Sequence, residues 1–221
     1  MVGVQDQEFI SSLIESVENM KLPSLTDSQL QQMELHYRML TKWNRRVNLT
    51  RIRTPQEAAR FHYAESIHAC SLLKGVASIL DVGSGAGFPA VPLAIMDGRL
   101  SVTALESNQK KSVFLKEVKD QLSLSNLEVV TARIEDFHWS GYAALTSRAL
   151  DRAEKVYADL IRSLNRDQTL MLFCSDSLLD LLQRDLPAEI RVQSHHIPQS
   201  QFRLITLFKH QPLENAPLPP Y

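Results

Sequence analysis

The sequence predicts an α/β fold. Its sheet is mostly parallel, closes with a C-terminal antiparallel hairpin, and follows an N-terminal helical segment. Three observations predict this. Between residues 76 and 184, short apolar runs alternate with stretches of helical character. The first of those runs leads into Asp81-Val-Gly-Ser-Gly-Ala-Gly-Phe88, where glycine stands at every second position. The end of the chain departs from the alternation, with two strand-like runs in succession around Pro198. Strand–helix alternation implies a parallel sheet with helices on both faces. Two consecutive strands imply a hairpin.

A length of 221 residues suits one such unit with an appendage. The chain is 44% hydrophobic and 22% charged, with a net charge of −1. Those values fit a globular protein and exclude one uniformly coated in positive charge. No apolar run approaches the ~20 residues of a membrane span. Met1-Val-Gly-Val-Gln-Asp-Gln-Glu8 has neither a basic start nor an apolar core, so no targeting segment is expected. Cys70 and Cys174 lie far apart in apolar stretches and read as buried thiols of a reducing cytoplasm. A cytoplasmic monomer is expected. No Cys/His cluster has metal-ligand spacing. His195 and His196 are neighbours on an expected strand and point to opposite faces, so no metal site is expected.

Residues 1–75 are expected to form a helical extension, 76–210 the core, and 211–221 a loose tail with four prolines. Ile10, Leu13, Ile14, Val17 and Met20 recur at helical spacing. Thr26-Asp-Ser-Gln29 fits a capping box, and the helix after it carries Leu30, Met33, Tyr37, Leu40, Trp43 and Val47 on one stripe. Asn48-Leu-Thr-Arg-Ile52 reads as a connector. Thr54-Pro-Gln-Glu57 is a second capping box with proline at the first helical position, and its helix carries Ala58, Phe61, Ile67 and Leu72. Strands are expected at 77–82, 101–106, 127–131, 143–147 and 168–174. Helices are expected at 89–96, 108–122, 151–163 and 176–184. The hairpin strands are expected from Ile190 to His195 and from Phe202 to Phe208.

A strand, a glycine-rich loop and a helix describe backbone that approaches a ligand closely. A Cβ there would block either positive φ or the ligand. Three of the seven glycines of the chain fall within five residues, which disfavours a mere tight turn. The following strand ends on Glu106, where an acidic residue would hold a ribose hydroxyl pair. An adenosine-containing cofactor is therefore expected. The spacing Gly83-x-Gly85-x-Gly87 differs from the G-x-G-x-x-G of dinucleotide sites, and Asp81 lies two residues before it. A carboxylate beside the loop would repel a pyrophosphate and suit a ligand bearing an ammonium and a sulfonium. The loop resembles motif I of class I S-adenosylmethionine methyltransferases. A parallel sheet closed by an antiparallel hairpin is the methyltransferase variant of the Rossmann-like sheet.

In open α/β sheets ligands sit at the carboxyl ends of the strands. The segments ending at Asp81, Glu106, Thr131-Ala-Arg-Ile-Glu-Asp136 and Thr146-Ser-Arg148 should therefore meet. Ile134 can cover one face of an adenine. Arg148 points at a substrate or at the cofactor carboxylate; as a surface residue it would pair with Asp151 or Asp136. Residues 42–60 hold Lys42, Arg45, Arg46, Arg51, Arg53 and Arg60 against Glu57 alone. Such an excess attracts phosphates, or is a solvated helix end.

The resemblance then becomes specific. Tyr37-Arg-Met-Leu-Thr-Lys-Trp-Asn-Arg-Arg-Val-Asn-Leu-Thr50, His62-Tyr-Ala-Glu-Ser-Ile67, Asp81 to Pro92, Ala132-Arg-Ile-Glu135 and Ser147-Arg148-Ala149 occur in order and at family spacing. Over roughly residues 30–175 the chain resembles the bacterial 16S rRNA guanine-N7 methyltransferase family, also called the glucose-inhibited division protein B family. The resemblance implies methyl transfer from S-adenosylmethionine to N7 of guanine 527 in the 530 loop of the small ribosomal subunit. It implies cofactor contacts at Gly83, Phe88, Glu106, Ile134, Glu135 and Arg148, to which the loop itself adds Asp81, Gly85 and Gly87; Arg148 is also expected to position the reaction. It implies an RNA-facing set of Arg45, Arg46, Asn48, Arg51, Arg53 and His62. Glu65 and Glu106 stand where the family has aspartates, and Ala90 where glycine is common. Phe173-Cys-Ser-Asp-Ser177 stands where a Lys-Gly pair is expected. Methyl transfer to another substrate, and nucleotide or RNA binding without turnover, remain the competing readings.

Overall fold

The computed structural model describes residues 4–148, 153–198, 200 and 203–211. Two helices come first, α1 (Val4–Asn19) and α2 (Asp27–Asn44). The expected capping box starts α2: Thr26 accepts from the Gln29 N–H, and the Gln29 side chain accepts from the Thr26 N–H. A longer helical rod follows, made of α3 (Pro55–Ala58), a π-helical stretch (Ala59–Ala64) and α4 (Glu65–Leu72). Thr54 caps its start by accepting from the Glu57 N–H at 3.2 Å.

Two details of this segment differ from the sequence pattern. On α1 the buried side chains are Phe9, Leu13 and Val17, whereas Ile14 is 39% exposed. One face of a helix accommodates residues spaced by three or four, and Ile14 lies off it. Phe61 is half-buried, because the π-helical stretch shifts the residues that follow it by part of a turn. Val47 lies beyond the end of α2.

The core alternates as expected: β1 (Ser78–Val82), α5 (Ala90–Met96), β2 (Ser101–Leu105), α6 (Gln109–Gln121), β3 (Leu127–Val130), β4 (Ala144–Arg148), α7 (Ala153–Arg162), β5 (Thr169–Cys174) and α8 (Asp176–Gln183). The chain then returns through β6 (Ile190–His196) and β7 (Leu204–His210). The sheet order is β3-β2-β1-β4-β5-β7-β6. Strands β1 to β5 run parallel, and β7 is antiparallel to both β5 and β6. The expected tail begins at Gln211, whose N–H reaches the Glu189 carbonyl at 2.7 Å. The rest of the tail lies outside the described residues.

Apolar side chains fill both faces of the sheet. One cluster joins the N-terminal helices (Phe9, Met33, Tyr63, Ile67) to α5, α6 and one face of the strands. The other joins Leu80, Leu145 and Leu170 to Tyr157, Leu160 and Leu182 of α7 and α8. Because β1 lies between β2 and β4, the strand order reverses at its carboxyl end. That is the switch point where an open α/β sheet leaves a crevice.

Candidate active site

The glycine loop leaves β1 at this switch point. Gly83, Gly85 and Gly87 all have positive φ, at 74°, 55° and 90°. The loop is tied to β2: the Gly83 and Ser84 N–H groups donate to the Leu105 carbonyl at 2.8 and 3.1 Å. Glu106 is buried and ties it further, accepting from the Gly85 N–H at 2.8 Å and the Asn108 N–H at 2.7 Å. An open cavity of about 380 Å³ lies beside this loop. Gly83, Leu105 and Asn108 line it from one side, and Ala132, Ile134 and Glu135 from the other. Ile134 and Glu135 are held there by the 3-10 turn Ile134–Asp136.

Asp81 does not line that cavity. It is fully buried; the Thr146 hydroxyl donates to Oδ1 at 2.9 Å and Oδ2 has no hydrogen-bond partner among the described residues. Burial pushes its carboxyl up to about 6, against the pull of Ser84, Thr146 and the Ala90 N–H at the start of α5.

The last part of the loop faces the helical extension instead. A Cβ on Gly87 would lie 2.7 Å from Val91 Cγ2 and 3.4 Å from His36 Nε2. Phe88 is 5% exposed and stacks on His62, with ring centroids 4.4 Å apart and planes 11° apart. His36, on α2, is fully buried; its Nε2 lies 3.1 Å from the Ala86 carbonyl and its Nδ1 3.0 Å from the Tyr63 hydroxyl. A carbonyl can only accept, so Nε2 carries the hydrogen and Tyr63 donates to Nδ1. Burial lowers this imidazole to about 4 and keeps it neutral.

Arg148 occupies a second, neighbouring cavity of about 320 Å³ at the ends of β4 and β5. Among the described residues its partner is Glu65, not Asp136. Its Nη2 lies 2.9 Å from Glu65 Oε2 and donates to the Phe61 carbonyl, while Nη1 has no hydrogen-bond partner among the described residues. Arg203 Nη1 lies 2.9 Å from the other oxygen of Glu65. Both guanidiniums lie over aromatic rings, Arg148 over Phe173 at 5.2 Å and Arg203 over Phe61 at 4.4 Å. Burial pushes the Glu65 carboxyl up and the Arg148 guanidinium down, and the opposite charge of each opposes that shift. Asp151, the other partner considered, lies outside the described residues.

Arg45, Arg46, Asn48, Arg51 and Arg53 are all exposed. His62 is not: it bonds Thr50 Oγ1 through Nε2 at 2.8 Å and packs on Phe88. Burial, then the charges of Arg148 and Arg203, hold it well below the ordinary histidine range. Asn44 fixes the connector before it. Its Oδ1 accepts from the Leu49 and Thr50 N–H groups, and its Nδ2 donates to the Thr50 carbonyl. The sequence reading singled out neither His36, Asn44 nor Arg203. His36 sits three residues after Met33 and four before Leu40 on the apolar stripe of α2, and that spacing was the one available signal. Nothing in the pattern joins Arg203 to Glu65 across 138 residues.

The sequence profile of the family described as "rRNA small subunit methyltransferase G" matches residues 29–199. The chain belongs to this family. A relative of that name from Stutzerimonas stutzeri is 39% identical over 78% of this chain and 81% of its own length. Another from Pseudomonas aeruginosa is 36% identical over the same shares. Among solved structures, the cofactor-bound Rv0187 from MTB matches with a TM-score of 0.60 at 14% identity, covering 81% of this chain and 89% of that one. A SAM-dependent O-methyltransferase from Thermotoga maritima matches at 0.55 and 16% identity, over 80% and 73%. These structures share the class I methyltransferase fold. The cofactor of the rRNA small subunit methyltransferase G family is S-adenosylmethionine, and the first cavity fits its adenosyl part. Leu105, Ala132, Ile134 and Val156 offer apolar walls, Ser107, Asn108 and Glu135 offer polar edges, and Gly83 leaves room for close approach.

Proposed function

We propose that this protein methylates N7 of a guanine in 16S rRNA, guanine 527 of the 530 loop, using S-adenosylmethionine. The observation that carries the reading is the cavity at the switch point, with a second at the ends of β4 and β5, in a chain matched by its family over residues 29–199. Gly83, Ile134 and Glu135 hold the adenosyl end. Glu106 is placed to shape the loop from below, since its oxygens already accept from Gly85 and Asn108. Asp81 supports the loop, and Phe88 anchors it to the helical extension. Arg148 lies at the end of β4, one residue past Ser147, which pairs with Val82 of β1. Its Nη1, without a hydrogen-bond partner among the described residues, offers a donor to a carboxylate or carbonyl entering from the cleft.

The cofactor supplies a methyl group on a positively charged sulfur. Guanine N7 attacks with its own lone pair, so the new carbon–nitrogen bond forms as the carbon–sulfur bond breaks and no proton leaves. The protein needs no general base; it must align N7 with the methyl group and exclude water. Exposed Arg45, Arg46, Arg51 and Arg53, with Asn48, hold the RNA. His62 acts from inside, by fixing Phe88 and Thr50.

The test is transfer of labelled methyl to small ribosomal subunits from a strain lacking the protein, mapped by strand scission at N7-methylguanine. One scission in the 530 loop supports the reading, and absence of label in the rRNA overturns it. In the same assay Arg148→Ala should lower transfer on the order of 100-fold at a temperature where the variant remains folded. Equal turnover would remove Arg148 from that role.

A further inference from the structure

A third cavity lies outside both halves of the site. It is a groove of about 560 Å³ between the end of α2 and the start of α6. Lys42, Arg45, Arg46 and Lys110 line it, and among the described residues no acidic one does. Its apolar surface comes from Trp43, Val47 and Val113, the last 44% exposed. Trp43 is half-buried and packs on Phe114, with centroids 5.7 Å apart, so its indole is held in place from behind.

The charge arrangement on α6 is unusual for a helix left to itself. Lys110 and Lys111 occupy its first turn, which contains no acidic residue. Cations there oppose the helix dipole, and an anion bound at the same end relieves that conflict. Asn108 caps the turn by accepting from the Lys110 and Lys111 N–H groups. Ser107 and Asn108 line the adenosyl cavity, and the next two residues, Gln109 and Lys110, line the groove.

We propose that this groove binds a single-stranded RNA segment, with a base on Trp43 and Val113 and phosphates on Arg45, Arg46 and Lys110. The inference rests on the rRNA reading and extends it to a second contact beyond the target base. A ring of cations around a fixed aromatic platform is how single strands are held without sequence readout. A regular duplex keeps its bases stacked internally and cannot use Trp43 in this way.

The test measures binding of a fluorescent oligouridylate of about 12 nucleotides, and of a duplex of equal length, as a function of salt. Lys110→Glu puts an acid where the helix dipole favours one, so it should fold normally. It should weaken single-strand binding by about tenfold and reduce the salt slope by about 0.7. Trp43→Leu keeps apolar bulk against Phe114. It should weaken the single strand by about fivefold or more and leave the salt slope unchanged, while in a Trp139→Phe protein that keeps Trp43 the oligonucleotide should quench the remaining tryptophan fluorescence. Both variants should bind S-adenosylhomocysteine as the parent does. Unchanged single-strand affinity in both overturns the proposal, as does an equal loss for duplex in Trp43→Leu. An acidic peptide that displaces the parent's oligonucleotide at equal concentration also overturns it. Variant effects on the oligonucleotide without any methylation of rRNA by the parent would keep the groove and remove the rRNA reading.

Discussion

At the scale of single residues, two buried groups in contact with the glycine loop respond to acid in opposite directions. His36 has its folded pKa lowered from 6.5 to about 4. Its contribution to stability is therefore complete above 6.5 and is lost as pH falls through that interval. Asp81 has its folded pKa raised from 3.8 to about 6. Its contribution is complete below 3.8 and is lost as pH rises through 6. Each amounts to about 3 kcal/mol, at about 1.4 kcal/mol per pKa unit. Between pH 4 and 6 the two oppose each other. Urea unfolding across that range should show Asp81→Asn losing stability on acidification more steeply than the parent, and His36→Gln less steeply. Parallel slopes in all three proteins would reject the assignment. Gly87 gives a sharper steric test. Its φ of 90° and the 2.7 Å approach to Val91 should make Gly87→Ala roughly 2–4 kcal/mol less stable in a thermal melt. Gly98→Ala, with nothing within 4 Å of the new Cβ, should melt close to the parent.

At the scale of elements, local chemistry decides where helices begin. The Thr26–Gln29 capping box was legible because a cap depends on residues three apart and on nothing distant. Thr26→Ala should cost about 1 kcal/mol, read as a shift of the denaturation midpoint with an unchanged slope. The rod from Pro55 to Leu72 was legible at its start but not in its middle. The π-helical stretch turns the Phe61 carbonyl toward Arg148 and His62 toward Phe88, contacts that come from other elements. No spacing within the rod itself encodes them. The strands were legible because parallel strands covered on both faces read as continuous apolar runs between glycine and polar breaks.

Across the whole molecule, Glu65 joins parts that the sequence keeps far apart. It sits 1% exposed at the start of α4 and pairs with Arg148 at the end of β4 and with Arg203 just before β7. Removing its charge leaves a buried guanidinium without a counter-ion. Glu65→Gln should therefore cost about 3 kcal/mol in chemical denaturation. Arg203→Ala should cost about 1 kcal/mol or less, because that side chain is 41% exposed and screened. A larger loss for Arg203→Ala than for Glu65→Gln would mean that Arg148 is not the partner that matters.

The sequence by itself determined the alternation of strands and helices, the closing hairpin, the glycine loop and its neighbours Ile134 and Glu135. Each follows from residue order: apolar period, positive φ at glycine, and side chains that leave adjacent strand ends on the same edge. Only the tertiary structure decided what surrounds Asp81, His62 and Arg148. Asp81 is fully buried, His62 turns inward onto Phe88, and Arg148 pairs with Glu65 in a cavity of its own. The reason is physical. A charge or a ring settles where its desolvation is offset by a partner, and these partners come from segments 26 to 83 residues away that meet only when the sheet and the helical extension have packed together.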